Sequence, residues 1–190
     1  LLPELIKKLN RSAPKINIES YLTPRIDTPK ELAVGNIDFA IDPPIHTDSS
    51  LRNQKIYQDE YVLIVNKKHP IAKKKKISLD DYLNLNHIHI AKRPIGLGHV
   101  DLTLHNLGIS RRITLKAQHF LVAPFIMEQS ELAITSIASF AKGRDFKIFD
   151  LPFEIDPLVL HLYWHVNKDQ DPASTWMRQL ILNTYGKIKN

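Results

Sequence analysis

The stretch Thr28-Pro29-Lys30-Glu31-Leu32-Ala33-Val34-Gly35-Asn36-Ile37-Asp38-Phe39-Ala40-Ile41-Asp42-Pro43-Pro44 decides the fold. Thr28 reads as a helix N-cap and Pro29 as the first helical residue, where its missing N–H costs nothing. Gly35 reads as the left-handed cap that ends the helix. Ile37 to Ile41 is then a short buried strand, closed by Asp42-Pro43-Pro44. Upstream, Ile16, Ile18 and Ser20 alternate as a strand would. Strand, helix, strand with a connection of this length predicts a parallel crossover.

The pattern continues in both directions. Leu2, Leu5, Ile6 and Leu9 fall at helical spacing, and Ala13-Pro14 closes that helix. Tyr61 to Val65 is continuous, apolar and β-branched, as a strand covered on both faces should be. Ser78 caps a helix over 79–83, with Asp80 and Asp81 in its favourable first turn. Strands follow over 87–91, 113–117, 132–134, 146–149 and 158–166. Helices are expected over 99–107 (stopped by Gly108), over 120–129 with a start or bend at Pro124, and over 136–142 (capped by Gly143). Asp171-Pro172 opens a last helix whose Trp176, Leu180, Ile181 and Tyr185 form an apolar stripe. This alternation predicts a mostly parallel α/β protein. The first and last blocks are each too small for a core of their own, so they are expected to pack together. Two crossings then separate two lobes, with strands 61–65 and 158–166 as the crossover strands. In such folds a ligand sits beyond the carboxyl ends of the strands.

Composition narrows the function. The chain has 190 residues, 43% of them hydrophobic, with 26 Lys and Arg, 20 Asp and Glu, and no cysteine. It can bury a core, and no apolar run reaches the roughly 18 residues of a membrane span. Disulfides, thiolate metal sites and cysteine nucleophiles are excluded together. The net charge of +6 is concentrated: Lys67, Lys68 and Lys73 to Lys76 carry it, and without those six the chain holds 20 basic and 20 acidic residues. That run reads as a solvated, Pro-containing loop. No helix-turn-helix, zinc finger or interleaved basic and aromatic stripe is present, so this segment is not itself a DNA reader. The opening Leu1-Leu2-Pro3 reads as the inside of a longer protein, cut within a helix.

Several motifs, taken in order, resemble the effector-binding domain of LysR-type transcriptional regulators. Leu32-x-x-Gly35-x-Ile37-Asp38-Phe39-Ala40-Ile41 is similar to that family's helix, glycine, strand signature. Asp59-Glu60-Tyr61-Val62-Leu63-Ile64-Val65 runs on to His69-Pro70-Ile71-Ala72, similar to the strand before the family's His-Pro-Leu-Ala turn. His119-Phe120-Leu121-Val122-Ala123-Pro124, Leu162-Tyr163-Trp164-His165, and Asp171-Pro172 through Trp176-Met177-Arg178 resemble the branch of nodulation and aromatic-degradation regulators.

The resemblance implies two Rossmann-like lobes of the type 2 periplasmic-binding-protein fold, joined by two crossover strands. Residues 1–64 with 161–190 would form lobe I, and residues 65–160 lobe II. The family's first strand and a DNA-binding winged helix-turn-helix would lie before Leu1. A small-molecule effector, aromatic or carboxylate, would bind in the inter-lobe cleft. The intact protein would be a cytoplasmic homo-oligomer, dimer or tetramer, that touches DNA only through the upstream domain and no membrane. Two rivals share the scaffold. A transport solute-binding protein would show an export signal upstream. A small-molecule enzyme would need a triad assembled from distant residues.

Eight residues are candidates for the effector site. Arg25 follows the first expected strand and can pair a carboxylate bidentately, or it is a surface arginine on a turn. Asp42 and Pro43 line the cleft, or simply make a turn. Ile95, Gly96 and Gly98 precede a helix, where backbone can approach a small ligand; the longer nucleotide fingerprint is missing. His119 and Phe120 offer one polar and one stacking group, or a surface histidine beside a core ring. His87 and His89, and likewise His161 and His165, share strand faces without a third ligand at a telling spacing, so no metal is expected. No cofactor is expected, and no nucleophile elbow supports catalysis.

Overall fold

The computed structural model describes residues 1–45, 49–90 and 97–185. In chain order the helices are α1 (Leu2–Ser12), α2 (Thr28–Val34), α3 (Leu79–Leu83), α4 (His99–Asn106), α5 (Ala123–Glu128) and α6 (Pro172–Tyr185). The strands are β1 (Ala40–Asp42), β2 (Leu51–Asp59), β3 (Tyr61–Asn66), β4 (Asn86–Ile90), β5 (Arg112–Ala117), β6 (Ala133–Ile137), β7 (Phe146–Asp150) and β8 (Leu158–His165). Two compact units result: Leu1–Gln58 with Leu158–Asn190, and Asp59–Pro157. The chain passes into the second unit where β2 runs into β3, and returns at the start of β8. Among the described residues no helix is long and apolar enough to cross a membrane.

The first unit is built on a three-stranded sheet in the order β1-β8-β2. The last four residues of β8 are all buried, and successive side chains go to opposite faces of the sheet. Leu162 and Trp164 face α1 and α6, packing with Leu5, Ile56 and Ile181. Tyr163 faces the other way, against Leu32 of α2 and Leu51. Asp171 caps α6 by accepting from Ser174 N at 2.6 Å.

The second unit is a five-stranded sheet in the order β5-β4-β6-β3-β7. Alternate residues of β3 feed two cores: Val62 and Ile64 pack with Ala123, Met127 and Phe140, while Leu63 and Val65 pack with Tyr82, Val100 and Leu104. Leu63 and Ile64 are completely buried, a stabilisation of about 1.5–3 kcal/mol each. The expected cap of α3 is a full capping box between Ser78 and Asp81.

Several sequence expectations are corrected. Residues 16–20 form no strand, because a lone extended segment without a partner leaves its backbone groups to water. The 37–41 strand is shorter, Ala40–Asp42, and runs antiparallel to β8, with Ala40 opposite Tyr163. The predicted parallel crossover is therefore not formed. The second sheet is mixed: β4 pairs parallel with β5 and β6, and β3 antiparallel with β6 and β7. Strand β3 enters this sheet from β2 of the first unit and not through a crossover helix from a neighbouring strand, so no βαβ unit sets its direction. Strand β2 was not foreseen; it is polar because it lies at the sheet edge and buries only Leu51 and Ile56. Thr28 lies inside α2, after an Asp27 N-cap, and its hydroxyl donates back to Pro24 O. The 120–129 helix is a 3-10 turn (Phe120–Val122) followed by α5. On α6 the buried residues are Ser174, Arg178 and Ile181, and Trp176 is exposed.

Candidate functional site

In the first unit the structure joins three of the predicted site residues. Arg25 sits in the turn that opens α2, held by Asp27 N donating to Pro24 O at 2.9 Å. Its Nε lies 3.0 Å from Asp42 Oδ2, and its Nη2 donates to Pro43 O (3.1 Å) and Pro44 O (2.7 Å). The guanidinium thus ties this turn to the carboxyl end of β1. The bidentate edge that the sequence reading reserved for a ligand is occupied by the chain's own acceptors. Tyr163, buried on β8, accepts from Ile45 N at 2.9 Å and holds the same loop from the other side.

In the second unit His119 and Phe120 come together where β5 ends. With Ile90 at the end of β4, and with Gln118 and Leu121, they line an open, largely apolar hollow of about 620 Å³. Phe120 is 41% exposed. Its ring is not loose: Phe140 meets it edge-on at 4.7 Å between centroids. The hollow lies at the carboxyl ends of two parallel strands, where open α/β sheets bind ligands. Ile95 and Gly96 lie outside the described residues. Gly98 is the N-cap of α4, and a methyl group there would stand 2.8 Å from His89 Cε1.

Beside Gly98 lies a polar cluster that the sequence reading missed. Arg111 Nε and Nη2 donate to the two oxygens of Asp101 at 2.7 and 3.0 Å. His89 Nδ1 is 2.9 Å from Asp101 Oδ2. The Arg111 side chain is 2% exposed and that of Asp101 14%. Burial opposes the charge on Asp101, but the bonds from Arg111 outweigh it and hold the carboxyl below its ordinary range. Burial pushes His89 down, against the pull of Asp101, which favours the neutral Nδ1–H tautomer pointing at the carboxylate. One strand position pair away, His87 donates from Nε2 to Tyr82 O at 2.9 Å. Burial drives its pKa down to about 4. The signal for this cluster was available: Asp101 lies between Val100 and Leu104, which face the core, and a carboxylate there needs a partner.

The other paired histidines are structural. His161 Nδ1 lies 2.8 Å from Asn53 Oδ1, and His165 Nδ1 accepts from Asn167 N at 3.2 Å. Among the described residues no three His, Cys, Asp or Glu side chains are gathered as metal ligands.

The model of the LysR substrate binding domain family matches residues 1–186. The HTH-type transcriptional activator NagR of Ralstonia sp is 29% identical over 192 residues, covering 98% of this chain and 63% of that protein. Nodulation protein D 2 of Sinorhizobium fredii is also 29% identical, over 94% of this chain and 58% of its own length. The chain therefore spans about three fifths of the curated relatives it matches. Among solved structures, a probable transcriptional regulator of Pseudomonas aeruginosa, PA0477, superposes with a TM-score of 0.79 at 26% identity, covering 95% of this chain and 62% of that one.

Proposed function

The chain belongs to the LysR substrate binding domain family, and we propose on that premise that it senses a small effector, aromatic or carboxylate. Its work is recognition, not catalysis. The observation that carries this reading is the Phe120 hollow of the second unit. Ile90, Phe120 and Leu121 supply an apolar floor for a ring, while Gln118 and His119 supply polar groups at its margin. Because Phe140 already fixes Phe120, little ordering cost falls on binding. The effector acts by binding one arrangement of the protein better than another, which shifts the population between them.

The intact protein, on this reading, adds an upstream winged helix-turn-helix, works as a cytoplasmic homo-oligomer and reads its DNA sequence through that upstream part. The name of one relative, an HTH-type transcriptional activator, supports the DNA-reading part of this proposal. The test is a thermal-shift and calorimetric titration with benzoate and phenylacetate. At least one should raise the melting temperature in a dose-dependent way, and Phe120→Ala should weaken it at least tenfold. Equal affinity for wild type and Phe120→Ala would remove the hollow as the site.

A further inference from the structure

The excess positive charge of this chain is confined to one place, and the fold gathers more there. Lys67 and Lys68 follow the end of β3, Lys73 ends a 3-10 turn over Pro70–Lys73, and Lys74 to Lys76 follow it. The β3–β7 register sets Asn66 opposite Phe146, and Lys67 forms an ion pair with Asp145. The turn bearing Lys142 and Arg144 therefore lies beside the lysine run. Of the six lysines in the run, Lys67 is paired with Asp145 and Lys74 with Asp81. Lys68, Lys73, Lys75 and Lys76 are exposed and make no ion pair among the described residues.

This is not a loose basic tail. Asn66 Nδ2 donates to Met127 O and Glu128 O, and Asn66 Oδ1 accepts from Lys68 N at 2.8 Å. His69 Nδ1 caps the 3-10 turn by accepting from Ile71 N at 3.1 Å, and Ile71 is buried. Lys74 grips Asp81 inside the α3 capping box. The backbone of the run is held before it, in its middle and at Lys74, so little backbone ordering is left for binding to pay. Within 67–76 and 142–147 no large apolar side chain is exposed, so the surface has nothing to insert into a lipid layer.

We propose that this end of the second unit is a sequence-independent contact for the phosphate backbone of duplex DNA. It rests on the reading above that the intact protein holds DNA nearby. It adds a contact that carries no base readout, in keeping with a sequence that shows no groove-reading motif. Each engaged lysine releases counterions, so the contact is read out as salt dependence.

The test uses this chain and a fluorescent random-sequence duplex of about 20 base pairs, by anisotropy between 50 and 200 mM salt. Four engaged lysines predict a slope of log affinity against log salt of about −3.6. K68Q/K73Q/K75Q/K76Q should lose most of that slope and at least tenfold in affinity at 50 mM salt. K7Q/R11Q/K15Q/K30Q removes as much charge from exposed positions of the first unit and should change affinity less than threefold. No duplex binding by the wild type, or equal losses in both variants, would overturn the proposal. So would tighter binding to vesicles containing 30% phosphatidylserine than to the duplex. Benzoate response, followed in the same variants by thermal shift, should be unchanged. Absence of any response to both benzoate and phenylacetate alongside intact duplex binding would sink the sensor reading and leave this one standing.

Discussion

Each unit contains an arginine–aspartate pair, and the two differ in almost everything except chemistry. Arg111–Asp101 in the second unit is bidentate, with 2% and 14% of the side chains exposed. Arg25–Asp42 in the first is held through Nε, with 42% and 22% exposed. In water-rich surroundings an ion pair gains little over its hydrated parts, about 0–1 kcal/mol. In the interior each charge has already lost its water, and removing one partner strands the other. The buried pair is thus a structural commitment, and the exposed one is a clamp on a loop.

The largest expected effect tests that difference directly. Asp101→Ala strands the Arg111 guanidinium and should cost about 3–5 kcal/mol in urea unfolding followed by far-UV circular dichroism. Replacing both partners, as Asp101→Leu with Arg111→Met, should cost less than Asp101→Ala alone, because no charge is left buried. If the double variant is the worse of the two, the pair stabilises the unit outright and the desolvation argument fails.

Next comes acid. His87 is fully buried, and its pKa is near 4 in the folded unit against about 6.5 in the unfolded chain. Because the folded pKa is the lower one, the unfolded state binds the proton first. Stability is therefore full above pH 6.5 and falls as pH drops towards 4, by roughly 3 kcal/mol. His89, also pushed down by burial, adds a loss of the same sign. His87→Phe should flatten most of this slope at some fixed cost. A slope unchanged in that variant would assign the acid sensitivity elsewhere.

Glycines sharpen the contrast at a smaller scale. At Gly98 a methyl group meets the His89 ring, and Asp101 keeps that ring from moving away. Gly98→Ala should cost about 1–3 kcal/mol by overpacking. At Gly35 there is open space but a φ of 79°, so Gly35→Ala should cost about 1–2 kcal/mol from backbone strain alone. Adding Asp101→Ala to Gly98→Ala should soften the steric cost, since His89 loses its anchor, and should leave Gly35→Ala unaffected. Additivity at both sites would show that the His89 ring is fixed by something other than Asp101.

What sequence reading recovers follows the same division between local and long-range causes. The boundaries of β3 and β7, the α3 cap and the Asp171 start of α6 come from neighbours within a few residues, and they appear where expected. The direction of a strand depends on a partner far along the chain, so β1 and β3 were expected parallel and are antiparallel. Strand β2 escaped because an edge strand has only two buried positions to betray it. At the candidate sites, Asp42 with Pro43, and His119 with Phe120, follow from their places at strand ends, whereas Arg25 meets Asp42 although the strand expected before it does not form. Asp101 and Arg111 were legible only in half: a carboxylate on a core-facing helix flank demands a cation, but ten residues of chain hide which one.

The smallest expected effect decides what Arg25 is for. Its Nε and Nη2 are committed to Asp42 and to the Pro43 and Pro44 carbonyls. A carboxylate ligand arriving there finds the charge compensated and must bind through what remains of the guanidinium. Arg25→Ala should therefore cost less than about 1 kcal/mol of stability and weaken benzoate, titrated by calorimetry, less than tenfold. A loss of about 1.5–3 kcal/mol in affinity, the range of a full charge-assisted bond, would mean that the effector displaces Asp42 and takes its place. In that case Asp42→Asn should tighten binding, because the competing carboxylate loses its charge. The sign of the Asp42→Asn effect separates a loop clamp from a latent anion site even if Arg25→Ala folds poorly.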